Sequence, residues 1–179
     1  MTKISKYQKE IIRSMNLIGK LKNSIFLGQS VLYPGNLLFG TLKEINRKKI
    51  IEMPIVEETQ LGMSIGLSLS GYLPVSCFPR FDFLLLAMNQ LVNHLDKIPI
   101  TTKEKIIPKV IIRVIVGAKE PLDAGLQHTQ NYTKEFKSIL HSIDVYTLDN
   151  FKDVNLYYKK ALNSKYSSIL VEHTKYHYE

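Results

Sequence analysis

Two adjacent carboxylates, Glu57 and Glu58, follow a short apolar stretch and open a segment rich in small residues. A carboxylate at the end of a buried strand is costly unless a hydrogen-bond donor reaches it. The small residues occupy every second position after it, namely Gly62, Ser64, Gly66, Ser68 and Ser70. They allow another group to pack close to a helix that we predict over residues 57–70. We interpret the missing donor as a bound ligand.

The composition predicts one globular domain. The chain has 179 residues, of which 45% are hydrophobic and 22% are charged, and both fractions are ordinary for such a domain. No apolar run approaches the ~18 residues that span a bilayer, and the N-terminus lacks a signal-peptide pattern. The single cysteine, Cys77, excludes an intramolecular disulfide and favours a reducing compartment. We therefore predict a cytoplasmic location and no membrane contact.

The formal net charge of +8 is compatible with an acidic partner, nucleic acid, a membrane surface or simply a solvated Lys-rich surface. The lysines are dispersed along the chain, and no nucleic-acid-binding motif is present. This pattern favours a solvated surface, part of which can face an acidic partner subunit. A nucleic-acid binder is the weakest alternative, and a steep salt dependence of binding would identify it.

Short apolar strands alternate with helices along the chain. This pattern predicts the α/β class, with a three-layer sandwich in which helices cover both faces of a mostly parallel central sheet. The predicted strands cover residues 24–28, 47–53, 74–77, 109–116, 142–147 and 168–172. The predicted helices cover residues 4–21, 57–70, 82–94, 135–141 and 150–162. Loops are predicted at residues 29–40, 101–105 and 117–130.

We divide the chain into an N-terminal amphipathic helix, residues 1–22, and a domain of residues 23–179. The first helix can pack on this domain or on a partner. The helix at 82–94 has apolar residues on nearly all sides, which predicts burial on more than one face. It is therefore a candidate subunit interface.

Several side chains that could do chemistry follow predicted strands. In parallel sheets, ligands bind at the carboxyl ends of the strands. Glu57, Phe83 and His128 each come after such an end, so we expect them at one edge of the sheet. His94 lies inside a predicted helix and is interpreted as structural. The other histidines are interpreted as surface residues, namely His141, His173 and His177. No spacing of possible ligands predicts a metal site.

A series of motifs resembles the pyrimidine-binding domain of thiamine diphosphate enzymes. Transketolases and the beta subunits of 2-oxoacid dehydrogenases are the most similar in pattern. The motifs are Glu52-Met-Pro-Ile-Val-Glu57, Gly62-x-x-x-Gly66, Gly71-Tyr-Leu-Pro74-Val75, Phe81-Asp-Phe83 and Asn89-Gln90-x-x-Asn93. Two further segments are similar to the start of that domain and to a Gln-His-Ser motif, namely Phe26-Leu-Gly28-Gln29-Ser-Val31 and Gly125-Leu-Gln-His128-Thr-Gln130. The resemblance runs from about residue 24 to the end.

The resemblance implies that Glu57 hydrogen-bonds to the pyrimidine ring of thiamine diphosphate and exchanges a proton with it, so that the cofactor's imine can deprotonate the thiazolium carbon. Glu57 matches by spacing, whereas Glu58 is interpreted as a residue that caps the helix. Capping remains the alternative for Glu57 as well. Phe83 matches an aromatic that stacks on the aminopyrimidine, and its alternative is a place in the core. The remaining implied cofactor contacts are Gly28, Gln29 and Ile55.

The resemblance also implies a substrate side of the site. His128 matches a histidine that lines it and can move protons near neutral pH, so we predict a catalytic and substrate-binding role. The alternative is a solvated loop histidine. Arg80 stands where the beta subunits have a small or neutral residue. It can hold a substrate carboxylate or phosphate, or it can pair with Asp82 or Glu58.

In this family a second domain, marked by Gly-Asp-Gly, holds the diphosphate through Mg²⁺. The present sequence contains no Gly-Asp-Gly, and it ends where the beta subunits continue into a third domain. The resemblance therefore implies the pyrimidine-binding subunit of a split enzyme for 2-oxoacid decarboxylation or ketol/acyl transfer. A separate diphosphate-binding subunit would hold Mg²⁺, and only the hetero-oligomer would be active. The alternative is a non-catalytic assembly or regulatory protein that retains the fold.

Overall fold

The computed structural model describes residues 4–120 and 123–178. The described residues exclude residues 1–3, which belong to the predicted N-terminal segment, residues 121–122 of the loop predicted over 117–130, and residue 179. The described strands form one sheet in the order β2-β1-β3-β4-β6-β5, and every pairing in it is parallel. The strands are β1 Ser24–Gly28, β2 Ile50–Glu52, β3 Leu73–Phe78, β4 Ile111–Val116, β5 Asp144–Thr147 and β6 Ser168–His173. The predicted α/β class is confirmed.

Helices cover both faces of this sheet. They are α1 Lys6–Gly19, α2 Leu37–Leu42, α3 Glu57–Leu69, α4 Phe81–Leu84, α5 Ile98–Thr101, α6 Thr133–Ile139, α7 Phe151–Asn163 and α8 Thr174–Tyr178. Alternate residues of β4 point to opposite faces, as strand geometry requires. Ile111 and Ile115 join the hydrophobic cluster under α1 and α7, whereas Ile112 and Val114 join the cluster under α3 and α6. The result is a three-layer sandwich.

The first helix packs on the sheet. Its side chains Ile11, Met15 and Ile18 recur at helical spacing and are fully buried in the cluster that α7 shares. The Ser5 hydroxyl accepts a hydrogen bond from the Gln8 N–H at 3.0 Å and caps the start of α1. Burial of this apolar face, together with the cap, explains why the amphipathic pattern forms a stable helix here.

The helix predicted over residues 82–94 is divided in the structure. After α4 the chain forms a 3₁₀ turn, Leu85–Ala87, and then a π-helix, Asn89–Leu95. The Asp96 N–H donates to the Leu91 carbonyl at 2.9 Å, which is the five-residue spacing of a π-helix. These helix types differ in residues per turn, but over stretches of three and seven residues the difference cannot be read from the hydrophobic pattern, so the sequence did not distinguish them.

Three short helices were not predicted, namely α2, α5 and α8. Asn36 is one of the turn-forming residues from which a loop was predicted over residues 29–40. In the structure it caps the start of α2, because its side chain accepts a hydrogen bond from the Phe39 N–H at 2.9 Å. The interpretation of His177 as a surface residue is wrong. Helix α8 folds over the end of β6, which leaves His177 only 2% exposed, with Nε2 at 3.2 Å from Glu172 Oε2.

Glu172 belongs to a fully buried ion pair with Arg113. Nη2 of Arg113 lies 2.9 Å from Glu172 Oε2, and Arg113 Nε donates to Oε1, so the pairing is bidentate. The Tyr158 hydroxyl also donates to Glu172, at 3.0 Å. Burial alone would raise the pKa of Glu172, but the Arg113 charge and the hydrogen bond from His177 lower it to about 2. This network joins β4, β6, α7 and α8.

A second buried carboxylate, Asp96, ties the end of the π-helix to the segment before β5. Its Oδ1 accepts hydrogen bonds from the N–H groups of His141 and Ser142 at 2.8 and 2.7 Å. Burial alone would raise the pKa of Asp96, but these donors and the Lys97 ammonium hold it below its ordinary value. The stability that Asp96 contributes is therefore complete above the pKa of the unfolded chain and is lost as the pH falls through the folded pKa.

Replacing Asp96 with Asn should lower the free energy of unfolding at pH 7 by about 1–3 kcal/mol, because an amide is a weaker acceptor for two buried donors. The difference from the wild type should shrink as the pH falls below about 4, the ordinary pKa of an aspartate, because the unfolded chain then takes up a proton that the folded wild type binds only at its lower pKa. Urea denaturation at pH 7, 5 and 3 measures both effects. Glu135→Gln, an exposed carboxylate on α6, is the matched control. An Asp96→Asn effect that is equal at pH 7 and pH 3 would contradict this account.

Candidate functional site

The carboxyl ends of β2, β1, β3 and β4 lie side by side, because these strands are parallel neighbours in the sheet. The segments that follow these ends contain all the predicted site residues, namely Gly28, Gln29, Ile55, Glu57, Arg80, Phe83 and His128. This edge is where open α/β sheets bind ligands. The structure thus places the predicted residues at one edge of the sheet. They differ in burial and in the contacts that they make.

Glu57 is the first residue of α3 and is only 7% exposed. The residue before it, Val56, provides no side-chain cap for the helix. The hydrogen bonds described for this chain include none to the Glu57 carboxylate, and its oxygens are not among the fully buried polar atoms that lack a partner, so solvent reaches them although the residue as a whole is largely buried. The uncapped N-terminus favours a negative charge at this position. A buried carboxylate with free acceptor oxygens can accept a hydrogen bond from a ligand and exchange a proton with it.

Gln60 fixes the first turn of α3 to the sheet. Its Nε2 donates to the Ser76 hydroxyl at 3.0 Å and to the Cys77 carbonyl at 3.1 Å, and the side chain is almost fully buried. Residues three apart share a helix face, so this anchor also positions Glu57. Gln60 was not among the predicted site residues, because its role arises from hydrogen bonds to β3.

Glu58 points away from this anchor and is exposed. Its Oε1 accepts hydrogen bonds from Asn89 Nδ2 at 3.1 Å and from Gln90 Nε2 at 3.4 Å. The carboxylate therefore links α3 to the π-helix and makes no hydrogen bond to the backbone of its own helix among the described residues. Its position in the first turn still suits the helix dipole.

Phe83 contacts His128 rather than the core phenylalanines. The ring centroids of Phe83 and His128 are 5.5 Å apart with an interplanar angle of 80°, an edge-to-face arrangement. Phe83 is half-buried, whereas Phe78 and Phe81 are fully buried in the cluster under α3 and α6. The segments after β3 and β4 therefore meet through an aromatic pair.

Gly117 is the point of closest approach between these two segments. A Cβ atom at this position would lie 2.0 Å from the His128 carbonyl oxygen and 3.5 Å from Arg80 Nε. Only glycine allows the loop after β4 to return so close to the strand end. Gly117 was not among the predicted site residues, because the chain segment that approaches it is eleven residues away.

Gly117→Ala should displace the backbone at His128, because the added methyl group overlaps a carbonyl oxygen rather than a mobile side chain. We expect a loss of about 1–3 kcal/mol in unfolding free energy. We also expect a change in the imidazole NMR signals of His128. Gly66→Ala is the control, since a Cβ there meets nothing within 4 Å. Unchanged imidazole signals together with wild-type stability would refute the close approach.

Arg80 does not form either of the ion pairs considered for it. Its Nη1 donates to the Pro79 carbonyl at 2.6 Å, and none of the ion pairs among the described residues includes the guanidinium, although the Asp82 charge is near enough to act on it. Arg80 therefore forms no ion pair with Glu58 or Asp82 and can bind an anionic ligand. Partial burial lowers the pKa of Arg80 from its ordinary value.

Three buried polar atoms at this edge lack a hydrogen-bond partner among the described residues, namely Arg80 Nε, Asp82 Oδ2 and His128 Nδ1. Buried polar atoms in folded proteins are rarely left unpaired. Their presence on the two segments joined by the Phe83–His128 pair indicates a place where a polar ligand can bind. Asp82 is the member of this set that the sequence analysis considered only as a partner of Arg80.

The segment after β1 is held by a carboxylate of β2. Glu52 accepts hydrogen bonds from the Ser30 and Leu32 N–H groups at 2.5 and 2.8 Å, which orders the backbone next to Gln29. A Cβ on Gly28 would lie 2.3 Å from the Cys77 carbonyl oxygen, so this position also requires glycine. Gln29 is half-buried.

Ile55 is 69% exposed, which is unusual for a large apolar side chain beside a buried carboxylate. Within the described ranges, no group of three His, Cys, Asp or Glu side chains is placed to hold a metal ion. None of the described helices is long and apolar enough to cross a membrane.

The chain is similar in sequence to beta subunits of the pyruvate dehydrogenase E1 component. It is 28% identical over 162 residues to the subunit of Cyanidium caldarium, covering 87% of this chain and 48% of the relative. It is 30% identical to the subunit of Staurastrum punctulatum, covering 75% of this chain and 40% of the relative. It is 32% identical to the chloroplastic beta-3 subunit of Arabidopsis thaliana, covering 75% of this chain and 32% of the relative. The chain therefore spans less than half the length of each of these relatives. No protein-family model matches it.

The fold is that of transketolase domains. The chain superimposes on a Campylobacter jejuni transketolase with a TM-score of 0.71, at 16% identity, covering 96% of this chain and 26% of the other. It also matches a structure described as "Split gene transketolase, inactive beta4 tetramer", with a TM-score of 0.61 at 15% identity, covering 95% and 51%. The predicted resemblance is confirmed, because the chain is similar in sequence to E1 beta subunits and shares the fold of transketolase domains. One of these relatives is chloroplastic, so the cytoplasmic location stays a prediction.

Proposed function

We propose that this chain is the pyrimidine-binding subunit of a thiamine diphosphate-dependent enzyme that works with a separate diphosphate-binding subunit. The observation that carries the proposal is the position of Glu57, a largely buried residue at the start of α3 and at the ligand-binding edge of a transketolase-type fold. The motif similarity and the relatives named as E1 beta subunits support the same conclusion.

The residues at this edge fit an aminopyrimidine ring. Glu57 would accept a hydrogen bond from the ring and hold or return its proton, and Gln60 keeps that carboxylate in place. The half-buried Phe83 ring would stack on the pyrimidine, which is worth about 1 kcal/mol. Gly28 and Gln29 would line the ring edge, and Ile55 would cover it. When bound, the cofactor supplies a nucleophilic thiazolium carbon for acyl or ketol transfer.

Arg80 and His128 would form the substrate side. The free Nε of Arg80 can bind a carboxylate or phosphate group of the substrate, which favours an anionic donor such as a 2-oxoacid or a sugar phosphate. His128 would move a proton to or from that donor. The reaction class is therefore 2-oxoacid decarboxylation or two-carbon transfer.

The partner subunit would supply Mg²⁺ and the diphosphate contacts. This part of the proposal is supported by the description of the relatives as beta subunits of the E1 component, which implies a second kind of subunit in those enzymes. The exposed side chain of Ile55 suits a cleft that closes when a second subunit packs against this edge. The assembly would be a hetero-oligomer, because neither subunit alone holds both halves of the cofactor.

The test is a titration of thiamine diphosphate and Mg²⁺ by calorimetry into this chain, into a Gly-Asp-Gly-containing chain from the same organism, and into their mixture. Tight binding by the mixture alone is expected. Phe83→Ala should weaken it about fivefold, from the stacking energy, whereas Phe151→Ala, an exposed ring on α7, should not. Binding without turnover of any 2-oxoacid or ketose donor would favour the non-catalytic alternative. No binding by the mixture would overturn the proposal.

A further inference from the structure

A groove of about 540 Å³ runs between α1 and α7, outside the candidate site. Most of its lining comes from one face of α1, from Lys9 to Lys20, a distance of about 17 Å or three helical turns. The two helices cover the sheet face opposite to α3 and the π-helix. A molecule bound in the groove would therefore leave the candidate site and the face of α3 accessible.

The groove carries positive charge on every turn. Its lining contains four cationic side chains and no carboxylate, and the cations are Lys9, Arg13, Lys20 and Lys159. Two carboxylates contact the lining residues: Glu10 lies 3.7 Å from Arg13 and accepts a hydrogen bond from Asn155, and Glu44 accepts one from Asn16. Arg13 remains 71% exposed in spite of its contact with Glu10. The four cations against these two carboxylates leave the groove with a net positive charge of two.

The floor between these cations is apolar. Ile12 is half-buried and Leu17 is 46% exposed, and both line the groove. The one aromatic residue of the lining, Tyr158, is 1% exposed and directs its hydroxyl to Glu172, so it offers no ring for base stacking. An apolar floor with a basic rim and no exposed ring matches a polypeptide better than a nucleic acid.

We propose that this groove binds an acidic amphipathic helix of a partner polypeptide. Such a helix places apolar side chains at i, i+3, i+4 and i+7 against Ile12 and Leu17, and its carboxylates face the lysines and Arg13. The complementary charges speed encounter and fix orientation, while the apolar contacts slow dissociation. Binding in this groove would involve no residue of the candidate site, so it is independent of the proposed enzymatic function.

The probe is a fluorescein-labelled peptide of about four helical turns with leucines at i, i+3, i+4 and i+7 and glutamates elsewhere. Fluorescence anisotropy measures its binding to the full chain. We expect saturable binding that weakens with salt, and about tenfold weaker binding for Lys9→Glu/Arg13→Glu. Leu17→Ser should also weaken it severalfold. These residues are exposed, so circular dichroism should show an unchanged fold.

The control variant is Lys134→Glu/Lys137→Glu, which makes the same charge change on the exposed face of α6 and should bind as the wild type does. A peptide with glutamines in place of the glutamates should bind at least about tenfold more weakly. Equal loss of binding in both charge-reversal variants would overturn the proposal, because the attraction would then be non-specific. A DNA duplex that binds with a groove-dependent affinity above that of the acidic peptide would overturn it in favour of nucleic acid.

Discussion

Glu57→Gln should lower turnover of the assembled enzyme by two to four orders of magnitude, which is the range expected when a general acid–base group is removed. Glutamine has nearly the same shape and can still hydrogen-bond to the pyrimidine ring, so cofactor affinity should change only a few-fold. It cannot give up or take back a proton, however. Exchange of the thiazolium carbon proton for deuterium, followed by NMR in the presence of the diphosphate-binding subunit, reports this step separately from substrate chemistry.

Glu58→Gln is the matched control, because it removes the neighbouring carboxylate without touching the proposed site. Its partners Asn89 and Gln90 lie on the surface, so exchange and turnover should stay near the wild-type values. If both variants exchange the proton at the wild-type rate, Glu57 has no part in proton transfer. The capping role considered for this residue would then be sufficient.

Arg113→Met should lower the free energy of unfolding by about 3–5 kcal/mol, the range measured when one partner of a buried ion pair is removed. Both partners have no exposed surface, so solvent cannot compensate the Glu172 charge. Arg113 is one reason for the low pKa of Glu172, about 2, so its removal should also raise that pKa. Urea denaturation with two probes gives the stability, and its pH dependence reports the pKa change.

Double-mutant analysis separates the pair from its neighbours. Glu172→Gln keeps hydrogen-bond acceptors and donors for Tyr158 and His177 but removes the charge. The double variant Arg113→Met/Glu172→Gln should be more stable than the sum of the single effects predicts, by about 1–3 kcal/mol, because neither charge is then left buried alone. Strictly additive effects would show that the two side chains do not interact in the folded protein.

Elements bounded by clear stop signals could be predicted from the sequence with accurate ends. Strand β1 begins and ends where the prediction places it, and α3 ends one residue earlier than predicted, at Leu69, with Gly71 in the left-handed region at a φ of +87°. Helix α2 was not predictable from its turn residues, because Asn36 acts in the structure as a helix cap. His177 could not be placed either, since its burial depends on Glu172, a partner on the preceding strand.

Some residues of the candidate site could be predicted from the sequence, and others could not. Glu57, Phe83 and His128 were selected by residue type and by their position after strands, and the parallel sheet places them at one edge. Gln60 and Gly117 were missed because their roles arise from tertiary contacts, namely a hydrogen bond to β3 and the return of the loop that contains His128. Local sequence contains no direct signal for such contacts.

The most direct test of the central claim is the distance between the Glu57 carboxylate and the ring nitrogen of the aminopyrimidine. It would be measured in a structure of this chain with its diphosphate-binding subunit, thiamine diphosphate and Mg²⁺. Our account predicts a hydrogen bond of about 2.5–3.0 Å across an intersubunit cleft, with the Phe83 ring against the pyrimidine. A Glu57 side chain directed into bulk water, or a cofactor bound far from the carboxyl edge of β1 and β3, would contradict it.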